Sequence, residues 1–325
     1  MKRFLACVAL FFGTFAAASI AGAQAWTPSR NVEMIVGSGP GGGADVTGRL
    51  IQKLMQKLAP DVSMSVVNKT GGGSALSYVY LNQHSGDGHY LALSLQPMIT
   101  TPLMTAGQIA YTDLTPVAQL LNEYVGFAVR PDSPIRSGRD LVERLRKDPA
   151  ALSIGLSTAI AGSNHLATVL ALKAAGVDVK RLRVVVVAGA ADAITGVMGG
   201  HMDVVASSAA GMLPYLQAAK LRGIAVSGPR RLGDAFAQVP TWKEQGVDSV
   251  YANWRGVVGP KGLSAPQLAY WDGTFARLTQ LPEWRDALTR LLQEPAYMNS
   301  RDTQRFLERE HNELRAVLLD LGLTK

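Results

Sequence analysis

Apolar positions along the chain follow two alternating rhythms. Short β-rich runs stand at Val32–Val36, 62–67 and 90–95. Between the first two, Val46, Leu50, Leu54 and Leu58 fall four residues apart, which places them on one face of a helix over 45–58. A second helix is expected over about 74–83. After Pro134 the pattern resumes with a charged helix over 139–147, a strand over 153–156 and a helix over 163–175. The four valines 184–187 then read as a fully buried strand. The C-terminal part is mostly helical, with Trp284, Leu288, Leu291 and Leu292 on one face and Leu314, Val317, Leu318 and Leu321 on another. Such alternation predicts an α/β fold of parallel sheets with helices on both faces.

Two strands read as crossings between lobes. Residues 125–129 end at Arg130-Pro131 and residues 223–226 are followed by Gly228-Pro229, and each break is sharp enough for the chain to change lobes. Residues 26–125 and 228–325 would then form lobe 1, and 126–227, with the crossings, lobe 2. The length of 325 residues suits two domains of about 150 each. A chain with 47% hydrophobic and 18% charged residues buries enough apolar surface to fold compactly.

Residues 1–25 have the form of a cleaved export signal. Lys2 and Arg3 precede an unbroken apolar run over 4–12, and Ala23-Gln24-Ala25 offers small residues around a cleavage point. The alternative is an uncleaved anchor, since 4–23 is nearly long enough to cross a bilayer. Cleavage implies a periplasmic protein and takes two basic residues with it, lowering the formal charge from +7 to +5. That mild excess suits small anions and not a nucleic acid. The one cysteine, Cys7, lies in the signal, so the mature chain has no disulfide, no thiolate nucleophile and no cysteine metal ligand.

The densest chemistry is Gly37-Ser38-Gly39-Pro40-Gly41-Gly42-Gly43-Ala44-Asp45, between a strand and a helix. Bare backbone N–H groups at the positive end of a helix make an anion cradle. Asp45 would cap that helix or sit in its first turn. The same glycines also serve a tight turn without any ligand. Gly37, Gly39 and Gly42 match a dinucleotide fingerprint, but the second strand ends in Val67-Asn68-Lys69 without the acidic residue that would bind a ribose. No Gly-Lys-Ser/Thr follows, which excludes a P-loop. Neither GxSxG, SxxK nor HExxH occurs. Of the scattered histidines, His84 and His89 flank a loop, where a metal role is the less favoured reading, and His165 opens a helix in lobe 2. An exported hydrolase or lyase built on His165 and Asp45 is the alternative from another class.

A second loop of small residues, 157–165, also runs into a helix start. Two such openings facing each other across a hinge would clamp an anion from both sides. The loops 68–74, 188–192 and 206–211 follow strands and belong at the same end of their sheets.

These residues carry a resemblance. Pro28-Ser29-Arg30, Pro40-Gly-Gly-Gly-x-Asp45, Asn68-Lys69-Thr70-Gly-Gly-Gly73, Gly162-Ser163-x-His165-Leu166-Ala167, Gly199-Gly200-His201-Met202-Asp203 and Gln238-Val239-Pro240-Thr241 occur in this order. Together they resemble the receptors of tripartite tricarboxylate transporters, the Bug-type receptors, over essentially the whole mature chain. Asn253-Trp254-Arg255-Gly256 is similar to the branch that includes tricarboxylate receptors. The resemblance implies a two-lobed periplasmic binding protein of the Venus-flytrap, type II-like class, with two hinge crossings. Such a receptor has no chemistry of its own and no cofactor or metal. It captures a small organic carboxylate, whether a di- or tricarboxylate, an aromatic acid or an acidic amino acid. It works as a monomer and delivers its ligand to membrane transporter subunits, or to a sensor kinase in a signalling variant.

In lobe 1 the resemblance points to Gly41, Gly42, Gly43 and Ala44 as backbone contacts, with Ser38, Asp45, Gly73, Ser74 and Gln96 beside them. In lobe 2 it points to Gly162, Ser163, Asn164 and His165, with Gly189, Asp192 and Ser207. Arg255 is a candidate partner of a second carboxylate, against a surface or lobe-packing role. Thr70 stands where the family commonly carries proline, and Val185-Val186-Val187-Ala188-Gly189 lacks the usual proline and tyrosine, so ligand identity does not carry over with the motifs.

Overall fold

The computed structural model describes residues 26–157, 159–187 and 189–324; the expected signal and its cleavage point lie outside them. The elements in chain order are β1 (Val32–Val36), α1 (Gly43–Leu58), β2 (Met64–Asn68), α2 (Ala75–Asn82), β3 (Tyr90–Ser94), α3 (Pro97–Met104) and β4 (Leu114–Glu123). After Tyr124 come β5 (Val125–Val129), α4 (Gly138–Lys147), β6 (Ser153–Ser157), α5 (Ser163–Ala174), β7 (Arg183–Val187), α6 (Ala190–Met198), β8 (Val204–Ser208), α7 (Ala209–Gln217) and β9 (Arg222–Val226). The chain ends with β10 (Asn253–Pro260), α8 (Ala265–Leu278), α9 (Pro282–Arg290), β11 (Glu294–Met298) and α10 (Ser300–Asp320). The expected helices and strands fall within a residue or two of these bounds.

Two sheets result, in the orders β11-β4-β10-β3-β1-β2 and β7-β6-β8-β5-β9. Alternation along each strand sends side chains to opposite faces. Val32, Met34 and Val36 of β1 and Leu91 and Leu93 of β3 pack under α1, α8 and α9 with Ile51, Met55, Trp271, Phe275 and Trp284, whereas Ile35 and Ala92 face Tyr78, Leu81 and Met98. In the second sheet Phe127, Val129, Ile154 and Leu156 meet Leu141, Leu145, Leu166 and Leu172, while Ala128 and Val205 face Ile194, Met212 and Phe236 on the other side. Both sheets are therefore covered on both faces; one apolar cluster runs across both sheets, and each sheet has a further core on its other face. Among the described residues no helix is long and apolar enough to cross a membrane.

The structure departs from the sequence expectation in four respects. The sheets are mixed: β10 runs antiparallel to β3 and β4, β11 to β4, and β5 to both β8 and β9. β10 and β5 enter their sheets from the other one, so no crossover helix from a strand of the same sheet fixes their direction, and β11 follows β10 through α8 and α9 and shares its direction against β4. The valine run in β7 is an edge strand, with Val185 and Val186 about two-fifths exposed. An apolar run of that length fits an edge as well as a centre. The segment 125–129 is a ladder strand of the second sheet, and the change of sheet occurs before it, at Tyr124. Finally, the chain does not leave the second sheet at Gly228. Thr241 bridges to Val226, Trp242 packs edge-on against Phe127, and Gln245 accepts from Gly138 N–H at 2.7 Å, so the return to the first sheet comes at Ala252–Asn253.

Candidate ligand-binding cleft

The helices divide by the way they begin. Ser137, Ser264 and Asn299 cap α4, α8 and α10 by accepting a backbone N–H in the first turn. The helices that follow parallel strands do otherwise. Gly42 precedes α1, Ser74 α2, Gly162 α5, Gly189 α6 and Ser208 α7, none of them with a side-chain cap. First-turn N–H groups have no partner inside a helix, so α1, α5 and α6, which begin at the carboxyl edges of the sheets, can offer donors to an anion, whereas α7 gives its Ala209 N–H to Tyr124 O and α2 its Leu76 N–H to Gly71 O.

Asp45 holds the first loop in shape. Its carboxylate accepts from Gly41 N–H and Asn68 Nδ2, each at 2.9 Å, and from Arg49 Nε at 2.8 Å. Asn68 also donates to Ser38 O at 2.8 Å. The Arg49 bond, with those from Asn68 and Gly41, pulls the Asp45 carboxyl down to about 2. Asp45 thus caps no first-turn N–H, and its charge is spent on the loop. The second glycine loop abuts the first: Ser74 Oγ donates to Gly37 O at 3.3 Å, and a Cβ on residue 37 would lie 2.3 Å from the Ser74 Cβ, a contact only glycine permits.

Lobe 2 repeats the device with other residues. Asn164 Nδ2 donates to Ser157 Oγ at 2.6 Å, and Ser157 Oγ lies 3.4 Å from Ser207 Oγ. His165 Nδ1 accepts the N–H of Ala161, a residue held at φ 59. Burial lowers the His165 pKa to about 4, so the ring is neutral near pH 7, with Nε2 carrying the proton. Neither His165 nor Asp45 is poised as a general base, because each is committed to its own loop.

Arg255 joins the two openings without being free itself. From β10 its Nη1 donates to Gly43 O and Thr47 Oγ1, both at 2.9 Å, and its Nη2 pairs with Glu123 Oε2. Glu123 also accepts from Ser208 Oγ and, at 3.1 Å, from Asn253 Nδ2; Asn253 Oδ1 in turn accepts from Ser163 Oγ at 2.8 Å. An unbroken chain, Gly43–Arg255–Glu123–Asn253–Ser163, therefore links the start of α1 to the start of α5. Arg255 and Glu123 are both about one-twentieth exposed. Of the two readings of Arg255, its surroundings favour packing over an open carboxylate partner: its charge is already matched by Glu123, and a Cβ on residue 43 would lie 2.7 Å from its Nη2.

The remaining candidates divide. Gln96 is buried beside the crossing, where its Oε1 accepts from Tyr251 Oη at 2.6 Å. Gly73 lies in the left-handed region just before α2. Gly189 opens α6, but Asp192 is exposed and its carboxylate folds back toward Gly189, so no contact ties it to the chain above. Sequence reading missed Glu123, Asn253, Thr47 and Tyr251. Glu123 and Arg255 did leave a signal, as opposite charges at strand positions surrounded by apolar residues. His84 stacks on Tyr90 at 3.6 Å, and His89 bonds Asp87 and Ser29. Ser29, His89 and Asp87 superficially copy a catalytic triad, but the ring Nε2 accepts the Ser29 backbone N–H at 3.1 Å and has no lone pair left for the hydroxyl.

Residues 47–323 match the family model described as the tripartite tricarboxylate transporter family receptor. The chain belongs to that family. This receptor is similar in sequence to the UPF0065 protein in the gbd 5' region of Cupriavidus necator, 28% identical over 299 residues, 92% of this chain and 89% of the relative. In structure it is similar to a TctC solute-binding protein from Polaromonas without ligand, with a TM-score of 0.73 and 28% identity, over 90% of this chain and 99% of that one. R. palustris Rpa4515, solved with adipate, superposes at a TM-score of 0.79 with 24% identity, over 91% of this chain and 99% of that one. The receptor's two sheets are thus the two lobes of a solute-binding protein, as the glycine loops implied.

Proposed function

We propose that this receptor is exported to the periplasm, captures a small organic carboxylate between its lobes and delivers it to the membrane subunits of a tripartite transporter. The observation that carries the reading is the hydrogen-bonded chain from Gly43 to Ser163, which sets two helix openings with free N–H groups on one network. A dicarboxylate is the simplest ligand, one carboxylate for each opening, and adipate in Rpa4515 is of that kind. The lobes would close about Tyr124 and Ala252, because only the closed arrangement satisfies both ends of the ligand.

The energetics do not require an arginine clamp. Micromolar binding needs about 8 kcal/mol. Charge-assisted hydrogen bonds contribute roughly 1.5–3 kcal/mol each, and a helix terminus up to about 2. Four or five such bonds offset the ordering cost of closure. The test is a thermal-shift panel of mono-, di- and tricarboxylates, aromatic acids and acidic amino acids. Stabilisation by a narrow set of dicarboxylates, with every ligand recovered unchanged, is the expected result. Silence across the panel, or turnover of a ligand, would count against a receptor.

A further inference from the structure

A second cavity lies behind the hinge. Alternation along β10 separates it from the cleft: Asn253 and Arg255 point into the network between the helix openings, whereas Trp254 points to the opposite face. The space measures about 230 Å3 and is walled by Tyr251, Trp254, Phe306 and, from lobe 2, Leu170. Trp254 and Phe306 meet edge to face at 5.4 Å.

Apart from the Asn122 amide, the polar groups at this cavity that could meet a ligand are acceptors. Gln119 is 1% exposed, donates its Nε2 to Leu121 O, and is left with a buried Oε1 that has no partner. Glu310 reaches in from α10 and accepts from Trp254 Nε1 at 2.8 Å, with Glu313 one turn further along at the rim. Neither lysine nor arginine lines the space. Arg309, outside it, is the cation acting on Glu310, and burial still holds that carboxyl above its ordinary range. Aromatic faces, an orphaned amide oxygen and two carboxylates together ask for a ligand that is apolar, cationic and a hydrogen-bond donor. The cleft asks for the reverse.

We propose that the cavity between α10, β10 and α5 is a second binding site, for a small organic ammonium ion. The ammonium group sits between Gln119 Oε1 and the Glu310 carboxylate, and its apolar body lies against Trp254 and Phe306.

Benzylammonium chloride is the probe, with benzyl alcohol as its neutral isostere. Binding is followed by calorimetry and by the indole N–H resonance of Trp254. The wild-type protein should bind benzylammonium at least roughly tenfold more tightly than benzyl alcohol and shift that resonance. Glu310→Gln, which keeps the shape and an acceptor for Trp254 Nε1, should lose about tenfold or more. Leu170→Trp fills the space from the other lobe without touching Glu310, so it serves if Glu310→Gln does not fold, and it should abolish binding. Gly42→Val, in the cleft, should leave benzylammonium affinity unchanged. The proposal falls if the wild type does not bind the probe at millimolar concentration, if the alcohol binds as well, if the folded Glu310→Gln or Leu170→Trp variant binds like the wild type, or if Gly42→Val removes binding.

Discussion

Replacing Glu123 by glutamine tests the claim that Arg255 belongs to the frame of the cleft. The exchange preserves shape and one acceptor for Arg255 Nη2, but it leaves the guanidinium charge buried and uncompensated, with Nε already lacking a partner. Breaking one side of a buried ion pair costs about 3–5 kcal/mol, and the retained acceptor places this exchange near 3. For a folded chain of this length that corresponds to a fall of about 5 °C in Tm. Arg255→Met should cost less, because Ser208 Oγ and Asn253 Nδ2 still satisfy the remaining carboxylate. The double variant should recover much of the loss, with a coupling of about 2 kcal/mol between the two sites. Urea unfolding followed by tryptophan fluorescence, extrapolated to water, measures all four corners of the cycle. If Glu123→Gln costs under about 1 kcal/mol and the two effects add, the pair behaves as a screened surface contact and the frame argument is wrong.

Gly42→Val should leave the protein folded and remove stabilisation by any carboxylate that binds: a Cβ there already meets Gly39 O and Ser38 Oγ at 3.1 Å, and the branched end extends over the free N–H groups. An unchanged ligand-induced shift would clear this loop of any role. Asp45→Asn surrenders charge-assisted bonds to Gly41 and Arg49, and should lower stability by about 1–3 kcal/mol and weaken ligand binding without abolishing the fold. Because the Asp45 carboxyl is held at about 2, its contribution is complete above pH 4 and disappears as the pH falls through 2. An acid titration of Tm should therefore show a drop in that window which Asp45→Asn lacks. His165 works in a different window: its pKa of about 4 lies below the unfolded value, so stability is full above pH 6.5 and declines as pH falls from 6.5 to 4. The loss amounts to about 3 kcal/mol. His165→Gln should flatten that part of the profile, and an identical slope in both proteins would mean the ring is solvated.

Much of this receptor is legible in one dimension. The apolar periods located β1, α1, α2, α4 and α5, because burial on one face of a helix or strand constrains residues that are close in sequence. The helix openings were legible for a similar reason: glycine before Gly43, Ser163 and Ala190 is a local statement that no side chain caps those ends. The order of the glycine loops was enough to reveal the family.

What local pattern could not settle is which distant groups meet. The β7 valines look alike at an edge or in a centre, since that depends on whether another strand lies beside them. Asp45 reads as a helix cap or a first-turn residue; it lies in the first turn, and the direction of its carboxylate follows from Asn68, brought alongside by the pairing of β1 with β2. Arg255 reads as either a carboxylate partner or a packing residue until β10 pairs with β4 and delivers Glu123 to it. A buried charge has no stable state without a partner, and the partner is chosen by strand order and register. The amino-acid sequence by itself determined which helices would open on bare peptide nitrogens. Tertiary structure alone decided which charges those openings would find already neutralised.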